Sequence, residues 1–302
     1  MHHNIMQDTQ ALLNHDGQVS AQPTRRLALQ SALGLGYAAA AMPLMAQTAI
    51  KTSADGLTAG EVTIDVNGFK VPAYRAYPSG QTNLPVVLVI QEIFGVHEYI
   101  ADVVRRFAHA GYMAIAPALF ARQGDPGAYT EVAKLLSELV SKVPDAQVMT
   151  DLDAVVAWAG TQCADTKRLG ITGFCWGGRI TWLYAAHNPS VKAGVAWYGR
   201  LIGEKTEGSP RHPVELASDL KAPVLGLYGG ADTGISLESV EQMRAALAQA
   251  APKNAAAKAS VIEVYPDTPH AFHADYRATY REGPAKDGWE KCIAWLKKMG
   301  VA

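Results

Sequence analysis

Three residues far apart in the chain have the types that nucleophilic catalysis needs, and each stands where a fold could expose it. The first is Cys175, in Gly173-Phe174-Cys175-Trp176-Gly177-Gly178. The segment ends a strand-like run and opens a helix-like one. G-x-C-x-G-G in that place reads as a nucleophile elbow, a sharp turn that lifts one side chain above a sheet. Small residues two before and two after the cysteine let strand and helix pass close together. The turn aims the N–H of Trp176 at a reacting oxygen, and the positive end of the helix favours thiolate over thiol. Alone, such a segment is also open to a buried structural cysteine. Two residues later in the chain narrow the choice. Asp232 lies in Tyr228-Gly229-Gly230-Ala231-Asp232 and His270 in Pro266-Asp267-Thr268-Pro269-His270-Ala271-Phe272. Nucleophile, acid and base in that order, each past a strand end, is the arrangement in which a carboxylate orients an imidazole and the imidazole takes the nucleophile's proton. His97, Asp267 and His273 compete for these roles; Asp267 reads as a turn residue and His273 as a loop or pocket-wall residue.

The elements that must position these groups follow from periodicity. Glu61–Val66 and Phe69–Ala76 alternate polar and apolar residues around Asn67-Gly68, which predicts a hairpin. Val86–Ile90, Met113–Ala116, Arg168–Thr172, Ala193–Tyr198, Val224–Tyr228 and Ser260–Tyr265 read as short buried strands. Glu98–Ala110, Asp145–Ala159, Gly178–His187, Leu237–Gln249 and Pro284–Met299 read as helices. Strands alternating with helices predict an α/β class, with a mostly parallel central sheet and helices on both faces. Gly199–Pro213 reads as a surface loop.

Composition removes other classes. Of 302 residues 49% are hydrophobic and 18% charged, too apolar for a disordered chain. The 27 basic and 28 acidic residues nearly cancel, which argues against nucleic acid as the main partner. Three cysteines cannot frame a disulfide-rich domain, and no His/Cys/Asp cluster has metal-ligand spacing. No metal or cofactor is expected. Before Lys51 the only Lys or Arg residues are Arg25 and Arg26, and Leu27–Ile50 carries no charge. This is the pattern of an export signal, and Thr24-Arg25-Arg26-Leu27-Ala28-Leu29 resembles a bacterial twin-arginine signal. The expected organisation is an export segment over 1–50, cleaved after about Ala46, and a single domain over 51–302. The expected location is periplasmic or otherwise exported, with the twin-arginine machinery as a partner and no stable membrane anchor.

Taken together, Gln91-Glu92-Ile93-Phe94-Gly95, Ala116-Pro117-Ala118-Leu119-Phe120, the G-x-C-x-G-G elbow, Gly229-Gly230-Ala231-Asp232 and His270-Ala271-Phe272 resemble the dienelactone hydrolase family over about residues 60–300. The resemblance implies an α/β-hydrolase fold. It also implies a cofactor-free hydrolase of lactones or small carboxylic esters, with a Cys175-His270-Asp232 triad and a thioester intermediate. It implies that Glu92 contacts the resting thiol, that the N–H of Ile93 joins that of Trp176 in an oxyanion hole, and that Arg122 matches the first of two arginines that hold a substrate carboxylate. The second belongs four residues after the histidine, where this chain has Ala274; register argues against Arg277 in its place. That departure puts dienelactone itself in doubt as substrate. Two other readings stay open: a non-catalytic binding relative of the same fold, and a thiol acyl-transfer or redox enzyme. The last would want a resolving cysteine near Cys175, whereas Cys163 and Cys292 read as ordinary thiols.

Overall fold

The two alternating stretches pair as expected. β1 (Leu57–Val66) and β2 (Phe69–Pro78) form an antiparallel hairpin in register from Leu57↔Pro78 to Val66↔Phe69. Its two-residue turn, Asn67-Gly68, has positive φ at both positions (52° and 88°), as the right-handed twist of the strands demands. The computed structural model describes residues 49–302. The expected export segment therefore lies almost wholly outside the described residues. Among those described, no helix is long and apolar enough to cross a membrane.

The continuous apolar runs become the inner strands. These are β3 (Leu84–Ile90), β4 (Met113–Pro117), β5 (Ala164–Phe174), β6 (Val191–Trp197), β7 (Val224–Gly229) and β8 (Val261–Tyr265). Every residue of β3 and β4 is buried, which accounts for runs with no polar alternation. The eight strands form one sheet in the order β1-β2-β4-β3-β5-β6-β7-β8. β2 meets β4 antiparallel, and every pair from β4 through β8 is parallel.

Connecting helices are α1 (Glu98–His109), α2 (Asp145–Gly160), α3 (Trp176–His187), α4 (Leu237–Ala250) and α5 (Ala255–Ala259), and α6 (Glu282–Lys298) closes the chain. The step from β3 to β4 runs one way along the sheet, and the later steps run the other. Right-handed crossovers then place α1 on one face and α2, α3 and α4 on the opposite face. α6 joins α1: the Trp289 and Phe107 rings lie 4.6 Å apart. Both faces are thus covered, as the alternation predicted. Helical turns at Pro126–Ala128, Val132–Lys142 and Pro213–Asp219 have no clear periodic signature in the sequence. The strand order reverses at β3, and an open parallel sheet opens a crevice beyond the strand ends at such a point.

Candidate active site

Cys175 stands between the last residue of β5 and the first of α3, with φ 54° and ψ −113°. A non-glycine residue held there stores strain of order 1–3 kcal/mol, which persists only where the surroundings over-determine it. They do so through the glycines. A Cβ on Gly173 would stand 2.2 Å from the Gly177 carbonyl oxygen, and one on Gly177 would stand 2.4 Å from the Ile90 oxygen. A Cβ on Gly178 would meet the Trp197 oxygen at 2.5 Å. The helix start is thus pressed against the ends of β3 and β6, and only glycine fits. The Cys175 N–H is anchored on the Trp197 carbonyl at 3.0 Å.

Asp232 and His270 are brought together by the ends of β7 and β8. A Cβ on Gly229 would lie 2.2 Å from the Thr268 oxygen, so the glycine lets the two loops touch. Gly230 N–H donates to Tyr265 O at 2.7 Å and Ala231 N–H to Thr268 O at 3.0 Å. Oδ2 of Asp232 then lies 2.6 Å from Nδ1 of His270, while its Oδ1 accepts from the N–H groups of Gly234 and Ile235 at 2.8 and 3.0 Å. With Nδ1 engaged, the other ring nitrogen is the one that meets the Cys175 sulfur. Burial opposes a charge on His270, but the Asp232 carboxylate, Cys175 and the hydrogen bonds to both raise its pKa well above the usual histidine range.

Beyond β3, Glu92 to Gly95 make a tight turn, closed by Gly95 N–H on Glu92 O at 3.4 Å. Among the described residues no backbone acceptor takes the N–H of Ile93, and the N–H of Trp176, at the first position of α3, has no partner within its helix. The Trp176 N–H follows Cys175 directly in the chain, and Ile93 lies in the turn after β3.

The structure gives three charged groups near the elbow partners that the sequence does not announce. Glu92 is 2% exposed, and the Tyr276 hydroxyl donates to its Oε2 at 2.9 Å. His97 Nε2 stands 3.6 Å from the same oxygen. Burial pushes the carboxyl up, but His97, Arg277 and Tyr276 hold it below its usual range. Arg122 Nη1 donates to Asp151 Oδ2 at 2.5 Å, and its guanidinium lies 4.4 Å from the centre of the Phe69 ring. Arg277, which register argued against, lies near Glu92 and Cys175. Its guanidinium lies 5.6 Å from the Phe94 ring centre, and its pKa, opposed by burial, is raised by Tyr276, Glu92 and Cys175. The reason is local. Ala274 N–H donates to Ala271 O, Arg277 N–H to Ala274 O and Tyr280 N–H to Arg277 O, at 3.0 to 3.1 Å. Three-residue turns bring Arg277 to the same side as Ala274, one turn further on.

Other members of the site carry little signal in the sequence. His97 reads there only as a rival for catalytic histidine, and Tyr276 only as part of a stretch near His270. Tyr198 follows β6 with φ 38°, and its ring lies 5.1 Å from that of His270. Among the described residues, neither atom of the buried Gln91 amide has a hydrogen-bond partner. His273 belongs to the core below: it is 2% exposed, its ring lies 4.5 Å from that of Trp197, and its Nδ1 meets the Tyr99 hydroxyl at 2.7 Å. The three cysteines are free. Cys163 precedes the start of β5 and Cys175 follows its end, so the strand separates them by roughly 30 Å and no resolving thiol adjoins the elbow. Among the described residues no group of three or more His, Cys, Asp or Glu could hold a metal ion.

Comparison with known proteins converges on one family. The model described as "Dienelactone hydrolase family" matches residues 71–300. A protein of Methylorubrum extorquens is 57% identical over 94% of this chain and 97% of its own length. One of Escherichia coli K12 is 55% identical over 88% and 96%. Both carry the name "putative carboxymethylenebutenolidase". A crystal structure from Klebsiella pneumoniae, named with the same qualifier as a dienelactone hydrolase, superposes with a TM-score of 0.77 at 57% identity. It covers 80% of this chain and 99% of that one.

Proposed function

The chain belongs to the dienelactone hydrolase family of carboxylic ester hydrolases, and from that premise we propose that Cys175, His270 and Asp232 open a lactone through a thioester intermediate. The observation that carries this reading is the His270–Asp232 pair at 2.6 Å, formed close enough to the elbow for Cys175 to raise the His270 pKa. The substrate carbonyl oxygen sits between the N–H groups of Ile93 and Trp176. Cys175 Sγ attacks the carbonyl carbon, and the thiol proton resides on His270. Collapse breaks the ring C–O bond, and His270 returns the proton to the leaving oxygen. Water, deprotonated by His270, attacks the thioester, and the carboxylate product leaves as the proton goes back to sulfur. Asp232 keeps Nδ1 protonated throughout. An enol lactone suits this chemistry, because its leaving oxygen is stabilised.

Arg277 adds a substrate preference. A guanidinium beside Cys175 and Glu92 fits a lactone that carries a carboxylate, as dienelactone does. On this reading Arg277 takes the part of the arginine absent at Ala274. The test is intact-protein mass spectrometry with an activated ester, alongside steady-state turnover of dienelactone. A transient acyl mass on Cys175, absent in Cys175→Ala, is expected; full turnover by Cys175→Ala overturns the assignment.

The uncharged stretch behind Arg25-Arg26 is assigned to export in the same proposal. Thr52 N–H donates to Asp102 Oδ1 at 2.5 Å and Arg105 Nε to Thr52 O at 2.9 Å, so cleavage before Ile50 would leave the folded part whole. The N-terminal sequence of protein recovered from an expressing bacterial periplasm tests it. An uncleaved cytoplasmic product refutes it.

A further inference from the structure

α1 carries charged side chains on a face that is buried rather than solvated. Asp102 and Arg105 are 1% and 8% exposed. Buried charges need partners, and a segment from far outside the helix supplies them. The Thr52 N–H donates to Asp102 Oδ1 at 2.5 Å, and its hydroxyl to Oδ2 at 3.2 Å. Arg105 Nε donates back to the Thr52 carbonyl at 2.9 Å, and His109 Nε2 lies 2.8 Å from the Ser53 carbonyl oxygen. Positions 102, 105 and 109 recur at helical spacing, so residues 52–53 lie along one stripe of α1.

The same stripe reaches the loop after β8. Arg106 Nε donates to Asp102 Oδ2 at 2.6 Å, and its Nη2 donates to Asp275 Oδ2 at 2.5 Å. One guanidinium thus bridges two carboxylates that are each 1% exposed. Burial pushes the Asp275 carboxyl up, while Arg106 and a hydrogen bond from the Ile50 backbone pull it down, so the N-terminal segment touches this loop directly as well. Tyr276 and Arg277 follow Asp275 in the chain. His270, by contrast, is fixed from β7 and β8, through Asp232 and the Ala231–Thr268 bond, without Arg106.

We propose that residues 50–53 are a positioning strap for the loop after β8, acting through Asp102, Arg106 and Asp275 to hold Arg277 in place for the carboxylate of a substrate. The physical cause is exclusion of water. An ion pair under cover attracts in a low dielectric, whereas the same pair open to water is worth little and lets the loop drift. The first residues behind the expected cleavage site at Ala46 therefore serve the substrate site. A cut before Ile50 spares the Thr52 and Ser53 bonds, and a cut beyond Ser53 removes the cover. The part given to Arg277 rests on the hydrolase reading above; the coupling of strap to loop does not.

The experiment compares the full chain with Thr52→Pro, which removes both the N–H and the hydroxyl that Asp102 accepts, and with Thr52→Ser, which keeps both. Amide hydrogen exchange is read over residues 272–281, where the N–H groups of Ala274, Arg277, Tyr280 and Arg281 are bonded at 3.0 to 3.1 Å. Steady-state kinetics are read on a carboxylate-bearing lactone and on an uncharged ester. Thr52→Pro is expected to speed exchange over 272–281 about tenfold and to raise KM for the charged lactone about fivefold, with kcat and KM for the uncharged ester within about twofold of the wild type. Thr52→Ser is expected to match the wild type in every reading. Unchanged exchange over 272–281 in Thr52→Pro overturns the proposal. So does an equal rise of KM for both substrates, which marks a general packing defect. Should Thr52→Pro fail to fold, Arg106→Lys decides by the same readings, because it keeps the charge but cannot bond Asp102 and Asp275 through separate nitrogens. Arg277→Gln separates the two claims. If it leaves KM for the charged lactone unchanged, the carboxylate reading falls and exchange alone judges the strap. If it raises that KM while Thr52→Pro does not, the strap loses its positioning role.

Discussion

Gly177→Ala tests whether the oxyanion donors are set by the press of α3 against β3. The new Cβ would stand 2.4 Å from the Ile90 oxygen, 2.6 Å from the Gln91 oxygen and 2.8 Å from the Ile90 carbonyl carbon, all backbone atoms. Ordinary contact begins near 3.4 Å, so the helix start must move by about 1 Å; no side chain can give way instead. Trp176 N–H is one residue from the clash and moves with it, as does the strained Cys175. A 1 Å misplacement of reacting groups can cost about a hundredfold in rate, comparable to losing one oxyanion donor. Overpacking should cost about 1–3 kcal/mol of stability. At roughly 2–4 °C per kcal/mol for a domain of this size, the melting temperature falls by several degrees and the protein stays folded at 25 °C. The assay is kcat on an activated ester beside a thermal melt, with Gly160→Ala as control. There the new Cβ meets only the Thr166 side chain at 3.5 Å, near the end of α2, and no loss of rate is expected. A Gly177→Ala enzyme within about threefold of the wild-type kcat would refute the reasoning that this contact places the donors.

Other perturbations separate roles that the fold distinguishes. Arg277→Gln should raise KM for a carboxylate-bearing lactone by about tenfold or more while changing KM for an uncharged ester much less; equal effects would remove Arg277 from carboxylate binding. Arg122→Ala should leave KM for both substrates within about twofold and lower stability by about 1–3 kcal/mol, because Asp151, 1% exposed, loses its cation; denaturant melts and kinetics together check this. His273 is held neutral, since burial and Arg106 push its pKa well below the usual value. The unfolded chain binds a proton there below about pH 6.5 and the folded one does not, so its contribution to stability is whole above that pH and is lost as pH falls. His273→Phe should flatten that acid limb in urea melts, at a cost of about 1–3 kcal/mol for the Tyr99 hydroxyl left unpaired, and an unchanged slope would count against it. His270 has the opposite sign: its raised pKa gives stability that is whole below about pH 6.5 and fades as pH rises through the folded value. Asp232→Asn should diminish that alkaline loss and slow turnover severely, which stability curves and kcat measure independently.

The sequence alone determined the parts of this protein that are local. The alternation around Asn67-Gly68, the unbroken apolar runs of β3 and β4 and the glycines of the elbow act over a few residues, so their signature is written in consecutive positions. The approach of Asp232 to His270 was legible for the same reason, because each follows a strand end and β7 and β8 are neighbours in the sheet. The partners of charged groups were decided only by the tertiary structure. Nothing near Arg122 in the sequence announces Asp151, 29 residues away on α2, and nothing near Glu92 announces Tyr276, 184 residues away. Counting four residues past His270 reaches Ala274, because counting assumes one backbone path; successive three-residue turns carry Arg277 to that side instead. Hydrogen bonds and ion pairs form with whatever the fold brings within about 3 Å. In a buried site, where an unpaired charge is costly, that proximity decides which partner each carboxylate and each arginine keeps.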